Sequence, residues 1–197
     1  MRIVAATKNK GKIKEIKSIL ADSGYEILSM EDIGIDAEVD EDADTFEGNA
    51  LKKAAEIMKL CGEITIADDS GLVVEALGGE PGVYSARYSG VHGDDLANNK
   101  LLLKNMEGEK NRSAKFVCAV AAAFPNGGTF CVSGEFCGKI GYEMRGTNGF
   151  GYDSLFCLPE YGNKTSAEIS HEEKNKISHR SKALHKLKDE LNKRLKG

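Results

Sequence analysis

The sequence predicts an α/β protein with a mixed sheet flanked by helices, and three features carry that prediction. A strand–loop–helix unit opens the chain, with an apolar run at residues 3–6 followed by a helical pattern from Gly11. Two long strand-like segments, 116–124 and 129–140, are joined by a turn of Pro, Asn and Gly, which is typical of a hairpin. A helix with a leucine stripe closes the chain. Both parallel and antiparallel pairing are therefore expected in the sheet.

The first elements follow from short apolar runs and helical spacing. Residues 3–6 read as a buried strand, and Ile13, Ile16 and Leu20 share one face of the helix that follows. Residues 25–28 fit a second strand, and residues 36–44 form an acidic loop. Thr45 is the expected N-cap of a helix that extends to Leu60.

Further strands and helices are predicted in the middle and at the end of the chain. Residues 64–67 are predicted to form a strand that ends at Asp68 and Asp69, and residues 96–106 a helix. A helical stretch is expected from Ser170, which forms a capping box with Glu173. Its apolar stripe consists of Leu184, Leu187, Leu191 and Leu195.

Composition limits the classes of function. With 197 residues and 41% hydrophobic residues, the chain can bury a substantial core, and we interpret residues 1–197 as one domain. The formal net charge of −4 argues against a nucleic-acid-binding protein, which usually carries a basic excess. It does not exclude a small anionic substrate bound by a local basic pocket.

The cysteines and the apolar runs bear on the compartment. The five cysteines are odd in number and lack metal-ligand or CxxC spacing, which favours reduced thiols in the cytoplasm and argues against a zinc site. We recognise no signal peptide, and no apolar run approaches the length needed to cross a membrane.

A polar loop follows the first predicted strand and precedes the first helix. Helix N-termini attract anions through unpaired N–H groups, and this loop adds side-chain donors and cations. It differs from a Walker A loop, because the leading glycine is missing and Ile13 follows Lys12. The candidate phosphate-binding residues are Thr7, Lys8, Asn9, Lys10, Gly11 and Lys12. The alternative is a polar cap on a surface helix.

Two aspartates come at the predicted carboxyl end of the strand at 64–67, where α/β sheets often bind ligands. Neighbouring residues of a strand point to opposite sides, and we favour Asp69 as the one that faces the site. A second acid for Mg²⁺ could be Asp40 or Glu41 from the acidic loop. A carboxylate there could orient or deprotonate the attacking water. The alternative is a solvated turn with two aspartates.

A third cluster combines aromatic rings, a carboxylate and cations, a mixture that suits a purine nucleotide. It consists of Phe150, Gly151, Tyr152, Asp153, Lys174, His179 and Arg180. Ser178 could cap a second helix, which would place His179 and Arg180 in its first turn. Cations in the first turn of a helix interact unfavourably with the helix dipole. This electrostatic cost favours a functional role for the pair.

Taken in order, these motifs resemble the inosine triphosphate pyrophosphatase family, also called Ham1-like or RdgB-like proteins. The resemblance also rests on the segment from Leu77 to Arg87 and extends over essentially the whole chain. It implies hydrolysis of deaminated purine nucleotides (ITP, dITP, XTP and dXTP) to the monophosphate and pyrophosphate. It further implies Mg²⁺, a homodimer, and a long mixed sheet divided into two lobes by the substrate cleft.

The resemblance also implies a role for each candidate residue. Residues 7–12 and Lys53 would hold the triphosphate, and Ser70 would contact substrate. Asp69 would be the proton acceptor and a metal ligand, with Asp40 or Glu41 as the other. Phe150 to Asp153 would line the nucleoside pocket, while Lys174, His179 and Arg180 would read the base.

Two positions depart from the family pattern, and two other functions remain as alternatives. Ser154 stands where the family usually has proline, and Ala43 stands where the acidic loop often has glycine. A Maf-type nucleotide pyrophosphatase would favour other nucleotides, and the Ser178-His179-Arg180 end argues against it. A nucleotide sensor without catalysis predicts a lost catalytic acid, yet Asp69 is present.

Overall fold

The computed structural model describes residues 1–196 and confirms the α/β prediction. A seven-stranded sheet has the order β2-β1-β3-β4-β5-β6-β7. The strands are β1 (Arg2–Ala5), β2 (Glu26–Ser29), β3 (Thr65–Val74), β4 (Ser113–Ala123), β5 (Thr129–Ile140), β6 (Phe156–Leu158) and β7 (Lys164–Thr165). The α-helices are α1 (Lys10–Ile19), α2 (Phe46–Cys61), α3 (Asp95–Asn105), α4 (His171–Ile177) and α5 (His179–Lys196).

The sheet is mixed, as expected from the sequence. Strand β1 pairs in parallel with β2 and with β3, and the crossovers between these strands contain α1 and α2. Strand β6 pairs antiparallel with both β5 and β7. Parallel strands need a long crossover, which explains the helices between β1, β2 and β3.

The helix starts agree with the predicted caps. Thr45 has extended backbone, and its hydroxyl accepts the Gly48 N–H at 3.0 Å, so α2 begins where the sequence places it. Ser170 and Glu173 form the predicted capping box at the start of α4. Extended backbone at Ser178 then separates α4 from α5, as the second-cap interpretation requires.

Strand β3 differs from its prediction. It does not end at Asp68 and Asp69 but continues to Val74, and both aspartates therefore lie inside a strand. The continuation is stabilised by burial, because Leu72 and Val74 are fully buried beyond the two acids. The two aspartates interrupt the apolar run, which is why the sequence suggested a strand end there.

The chain divides into two compact units, each built from several segments. The first unit contains residues 1–69, 118–134 and the chain from 179 onward, and the second contains residues 70–117 and 135–178. Strands β3, β4 and β5 contribute residues to both units. The prediction that residues 1–197 form one domain stays a prediction.

The first unit has an apolar cluster on each face of its strands. One cluster joins Ile3 and Ile66 to residues of α1 and α5, including the predicted leucine stripe, of which Leu184, Leu187 and Leu191 are fully buried. The other joins Val4 and Ala67 to the apolar side of α2. Because side chains alternate along a strand, Asp68 follows Ile66 toward α1 and α5, whereas Asp69 follows Ala67 toward α2.

Helix α5 approaches β5 closely at Gly134. A Cβ added to this glycine would lie 2.7 Å from the backbone nitrogen of Ala183, closer than real side chains allow. A residue without a side chain therefore permits this packing of helix on strand within the first unit.

The second unit has its own core. Its buried apolar residues include Leu72, Leu102 and Ile140, and the rings of Phe116 and Phe156 pack with centroids 4.5 Å apart. Cysteines occur in both units, and all five are free thiols. Within residues 1–196, no helix is both long enough and apolar enough to span a bilayer.

Candidate functional site

The predicted phosphate-binding loop lies between β1 and α1. Asn9 is the N-cap of α1, and its side-chain oxygen accepts the backbone N–H of Lys12 at 3.1 Å. The Thr7 hydroxyl in turn accepts the Asn9 N–H at 3.2 Å. These contacts fix the entry into the helix, whose N-terminus carries a partial positive charge suited to an anion.

The three lysines of this loop differ in their surroundings. Lys8 forms ion pairs with Asp36 at 2.7 Å and Glu38 at 3.5 Å, both exposed acids of the acidic loop. Lys10 is exposed. Lys12 points inward, and its ammonium lies 3.2 Å from the Asp68 carboxylate. The loop therefore presents cations at its surface and one cation directed at β3.

Asp68 is the centre of a buried charge network in the first unit. Its Oδ2 is 3.2 Å from the Lys12 ammonium and 3.1 Å from Nε of Arg180, and Nη1 of Arg180 binds Glu15 of α1. Burial alone would raise the pKa of the Asp68 carboxyl, but the charges of Lys12, Arg180 and Lys53 outweigh it and hold that pKa well below its usual range. Asp68 is therefore a carboxylate that is neutralised internally.

Arg180, which the family resemblance implies as a base-reading residue, is a member of this network. The residue is only 1% exposed, and its guanidinium is bound by Glu15 and Asp68. Because these two carboxylates engage the guanidinium, Arg180 acts as an internal counter-ion. His179, the first residue of α5, is also buried.

Asp69 has a different environment on the opposite side of β3. Its Oδ2 accepts a hydrogen bond from Nδ2 of Asn49 at 2.9 Å, and the oxygen of the same Asn49 amide accepts the N–H of Ala43 at 2.9 Å. Burial raises the pKa of the Asp69 carboxyl, and the negative charge of Glu41 raises it further. A carboxylate with a raised pKa is a better proton acceptor, which supports the preference for Asp69 over Asp68.

Lys53 joins the acidic loop to β3. Its ammonium donates to Glu41 at 2.6 Å and to the backbone oxygen of Asp68 at 2.7 Å. Burial lowers the pKa of Lys53, but Asp68, Asp69 and Glu41 raise it more, so the residue stays charged. Helix α2 thus places a cation between the two acidic segments, whereas Asp40 of the same loop is exposed.

The donor set of this region fits Mg²⁺. The ion prefers oxygen ligands and is commonly held by one or two carboxylates together with substrate phosphates. Lys53 links the two candidate carboxylates, because it donates both to Glu41 and to the backbone oxygen of Asp68, the residue before Asp69. Within residues 1–196, no group of three His, Cys, Asp or Glu side chains forms a metal site. The predicted pair of ligands, Asp69 with either Asp40 or Glu41, stays a prediction.

The predicted nucleoside segment lies in the second unit and is organised around Asp153. The Asp153 Oδ2 accepts from the Lys174 ammonium at 2.6 Å and from the Phe150 N–H at 3.0 Å. The Lys174 ammonium also lies 4.9 Å from the centroid of the half-buried Phe150 ring. Gly149 is required here, because its φ is +80° and a Cβ would collide with the Asp153 carboxylate.

Two members of this segment have internal partners, and their predicted place in the nucleoside pocket stays a prediction. Tyr152 is 4% exposed and donates its hydroxyl proton to the backbone oxygen of Ser85 at 2.8 Å, so its ring packs in the core of the second unit. The Asp153 carboxylate is likewise engaged internally. Gly151 donates its N–H to Asp95 at 2.7 Å. Ser70 is half-buried on β3, next to Asp69.

Sequence reasoning missed two residues: Glu15, which contacts Arg180, and Asn49, which contacts Asp69. Glu15 lies one residue before the buried Ile16, where an acid on the apolar side of a helix signals an internal partner. Asn49 stands next to Ala50 and one helical turn before Lys53 on the buried side of α2. A buried amide and a buried ammonium at this spacing could have identified the helix as part of the site.

Comparison with known proteins gives a consistent result. A profile of the Ham1 family matches residues 3–190. A dITP/XTP pyrophosphatase of Bacillus licheniformis is 52% identical over 187 residues, covering 94% of this chain and 95% of its own. A dITP/XTP pyrophosphatase of Exiguobacterium is 48% identical over 197 residues, with full coverage of both chains. The solved Staphylococcus aureus Ham1 protein superposes with a TM-score of 0.88 at 40% identity, covering 98% of this chain and 100% of its own.

Proposed function

The chain belongs to the Ham1 family, and we propose on that basis that it hydrolyses deaminated purine nucleoside triphosphates. The substrates would be ITP, dITP, XTP and dXTP, and the products the monophosphate and pyrophosphate. Removal of these nucleotides would keep their bases out of DNA and RNA. The observation that carries the proposal is the buried Asp69 carboxylate, bound by Asn49 in the unit where Lys53 donates to Glu41, in a chain similar over nearly its full length to dITP/XTP pyrophosphatases.

We assign the proton transfer to Asp69. Its Oδ2 is held by Asn49, which orients the carboxylate toward an attacking water. The ammonium of Lys53 lies beside Glu41, where it can offset negative charge that develops on the phosphates. The loop of residues 7–12 binds the triphosphate chain, with exposed Lys8 and Lys10 and the helix N-terminus as its anion-binding groups. Lys12 is held by Asp68, which fixes the direction of its ammonium.

Mg²⁺ is proposed as the cofactor, with Asp69 and Glu41 as its protein ligands. We choose Glu41 over Asp40 because the Lys53 ammonium that donates to the backbone oxygen of Asp68 also donates to Glu41, whereas Asp40 is exposed. When bound, the ion would supply positive charge that neutralises the phosphate oxygens.

Base selection is assigned to the segment around Phe150. The ring of Phe150 can stack on a purine, and the Lys174 ammonium beside it can donate to a 6-oxo group. Adenine presents an amino group at that position, which would face a cation and be rejected. Tyr152, Asp153 and Gly151 hold this segment in place, and Ser70 and His179 remain candidate substrate contacts. Arg180 supports the site through Asp68.

We further propose that the protein is a homodimer in the cytoplasm. The dimer follows from the family resemblance, and sedimentation of the pure protein would measure it. Five free thiols suit a reducing compartment.

The test is pyrophosphate release from ITP, XTP, ATP, GTP and UTP, with and without Mg²⁺. We expect Mg²⁺-dependent release from ITP and XTP and little from ATP or GTP, because only the 6-oxo purines suit the cation and guanine carries an additional 2-amino group. Preference for UTP would instead favour a Maf-type pyrophosphatase. Binding of ITP without turnover would favour a sensor.

A further inference from the structure

A second basic site lies within the second unit, among residues to which no role has been assigned above. A cavity of 520 Å³ is bordered by the segments 110–113 and 139–143 together with Arg145, Cys157 and Asn163. Four of its lining side chains are cationic and one is acidic: Lys110, Arg112, Lys139 and Arg145 against Glu143. This local excess of positive charge stands in contrast to the net charge of −4 for the whole chain.

Arg112 is the buried cation of this cavity. It is 9% exposed, and three of its five N–H donors are bound by backbone oxygens: Nε by Ile140 at 3.0 Å, Nη1 by Met106 at 2.8 Å, and Nη2 by Gly141. Across residues 1–196, no carboxylate forms an ion pair with it. The carbonyl oxygens fix the guanidinium but do not neutralise it.

A buried cation without a counter-ion is costly, because burial removes the water that would otherwise solvate its charge. Two of the guanidinium N–H donors have no protein acceptor in the described part of the chain, and the residue lines the cavity. An anion in the cavity would supply both the missing charge and the missing acceptors. Arginine suits phosphate in particular, since its planar fork matches two phosphate oxygens.

An aromatic ring stands beside this cation. The Cζ of Arg112 lies 4.4 Å from the centroid of the Tyr142 ring, which orients the ring through a cation–π contact. Tyr142 is nevertheless 79% exposed, so most of its surface is open to solvent at the cavity. Exposed aromatic rings next to cations stack the bases of nucleotides with little regard to base identity.

We propose that this cavity is a second anion site, which binds a phosphate ester with a planar ring, the chemistry of a nucleoside monophosphate. The phosphate would lie against Arg112 with Lys139 at the rim, and the base against Tyr142. The volume of 520 Å³ falls within the range of small-molecule sites. The inference does not depend on the proposed hydrolysis, because none of these residues belongs to the catalytic machinery.

The test is titration calorimetry with CMP, whose pyrimidine base is not a proposed substrate of the enzyme. The variants are Tyr142→Ala and Lys139→Gln, both of exposed residues, because Arg112→Gln would also remove the carbonyl contacts that support the fold. We expect Tyr142→Ala to weaken CMP binding about 5- to 100-fold, the range for loss of one stacked base. Lys139→Gln should weaken it and reduce its salt dependence.

The controls distinguish binding of CMP in this cavity from binding elsewhere on the protein. Lys104→Gln, a change of an exposed lysine of α3, should leave CMP affinity unchanged, and both cavity variants should hydrolyse ITP at the unaltered rate. Inorganic phosphate should compete with CMP, whereas cytidine alone should bind more weakly. The proposal is overturned if CMP does not bind at millimolar concentration, or if both cavity variants bind CMP with the same affinity as the unchanged protein. It is also overturned if Tyr142→Ala changes the oligomeric state, because the cavity would then be an interface.

Discussion

Replacement of Asp69 by asparagine should lower kcat for ITP by about 10²- to 10⁴-fold, the usual contribution of a positioned general base. The change preserves the shape of the side chain and leaves an oxygen that can accept from Asn49, now 2.9 Å from Asp69 Oδ2. It removes the charge that accepts the proton. We therefore expect an unchanged unfolding midpoint and a large loss of turnover, measured as pyrophosphate release at saturating ITP.

A matched control is Asp22→Asn, which changes an exposed aspartate of the same unit and should retain full turnover. Near-normal turnover of Asp69→Asn would contradict the assignment of Asp69 as the base. Loss of the folded state in this variant would instead show that the carboxylate is mainly structural.

The second large effect concerns stability. Arg180→Met should lower the free energy of unfolding by about 3–5 kcal/mol, because it removes the cation that the buried carboxylates of Asp68 and Glu15 share. Chemical denaturation of the purified variant measures this. The loss of stability should affect the first unit, to which all three residues belong.

The control is the same substitution at Arg194, on the same helix. Arg194 pairs with Glu190 at 2.8 Å, but its side chain is 44% exposed, and exposed pairs contribute about 0–1 kcal/mol. If Arg180→Met lowers the free energy of unfolding no more than Arg194→Met does, the buried network does not stabilise the fold.

Much of the fold could be predicted because local signals agree with it. The caps at Thr45 and Ser170 and the leucine stripe of α5 are each encoded by a few neighbouring residues. The end of β3 could not be predicted in this way. Two adjacent aspartates interrupt an apolar run, and only tertiary partners such as Lys12 and Asn49 make their burial tolerable.

The candidate site was predicted in part for the same reason. Strand alternation correctly separated Asp68 from Asp69, since it depends only on the backbone. The position of the Arg180 guanidinium depends on its contact with Glu15, which lies 165 residues away in sequence. The residues next to Ser178-His179-Arg180 do not reveal that contact. Tyr152 lies among the core residues of the second unit, a burial that depends on tertiary packing and that its neighbours in sequence do not reveal.

The central claim is the cleavage of deaminated purine nucleotides between the first and second phosphates. The most direct measurement is product analysis by ³¹P NMR after incubation of the enzyme with dITP and Mg²⁺, with dATP in a parallel sample. The account predicts dIMP and pyrophosphate from dITP, while dATP remains largely intact. Formation of dIDP with inorganic phosphate, or equal consumption of dATP, would contradict it.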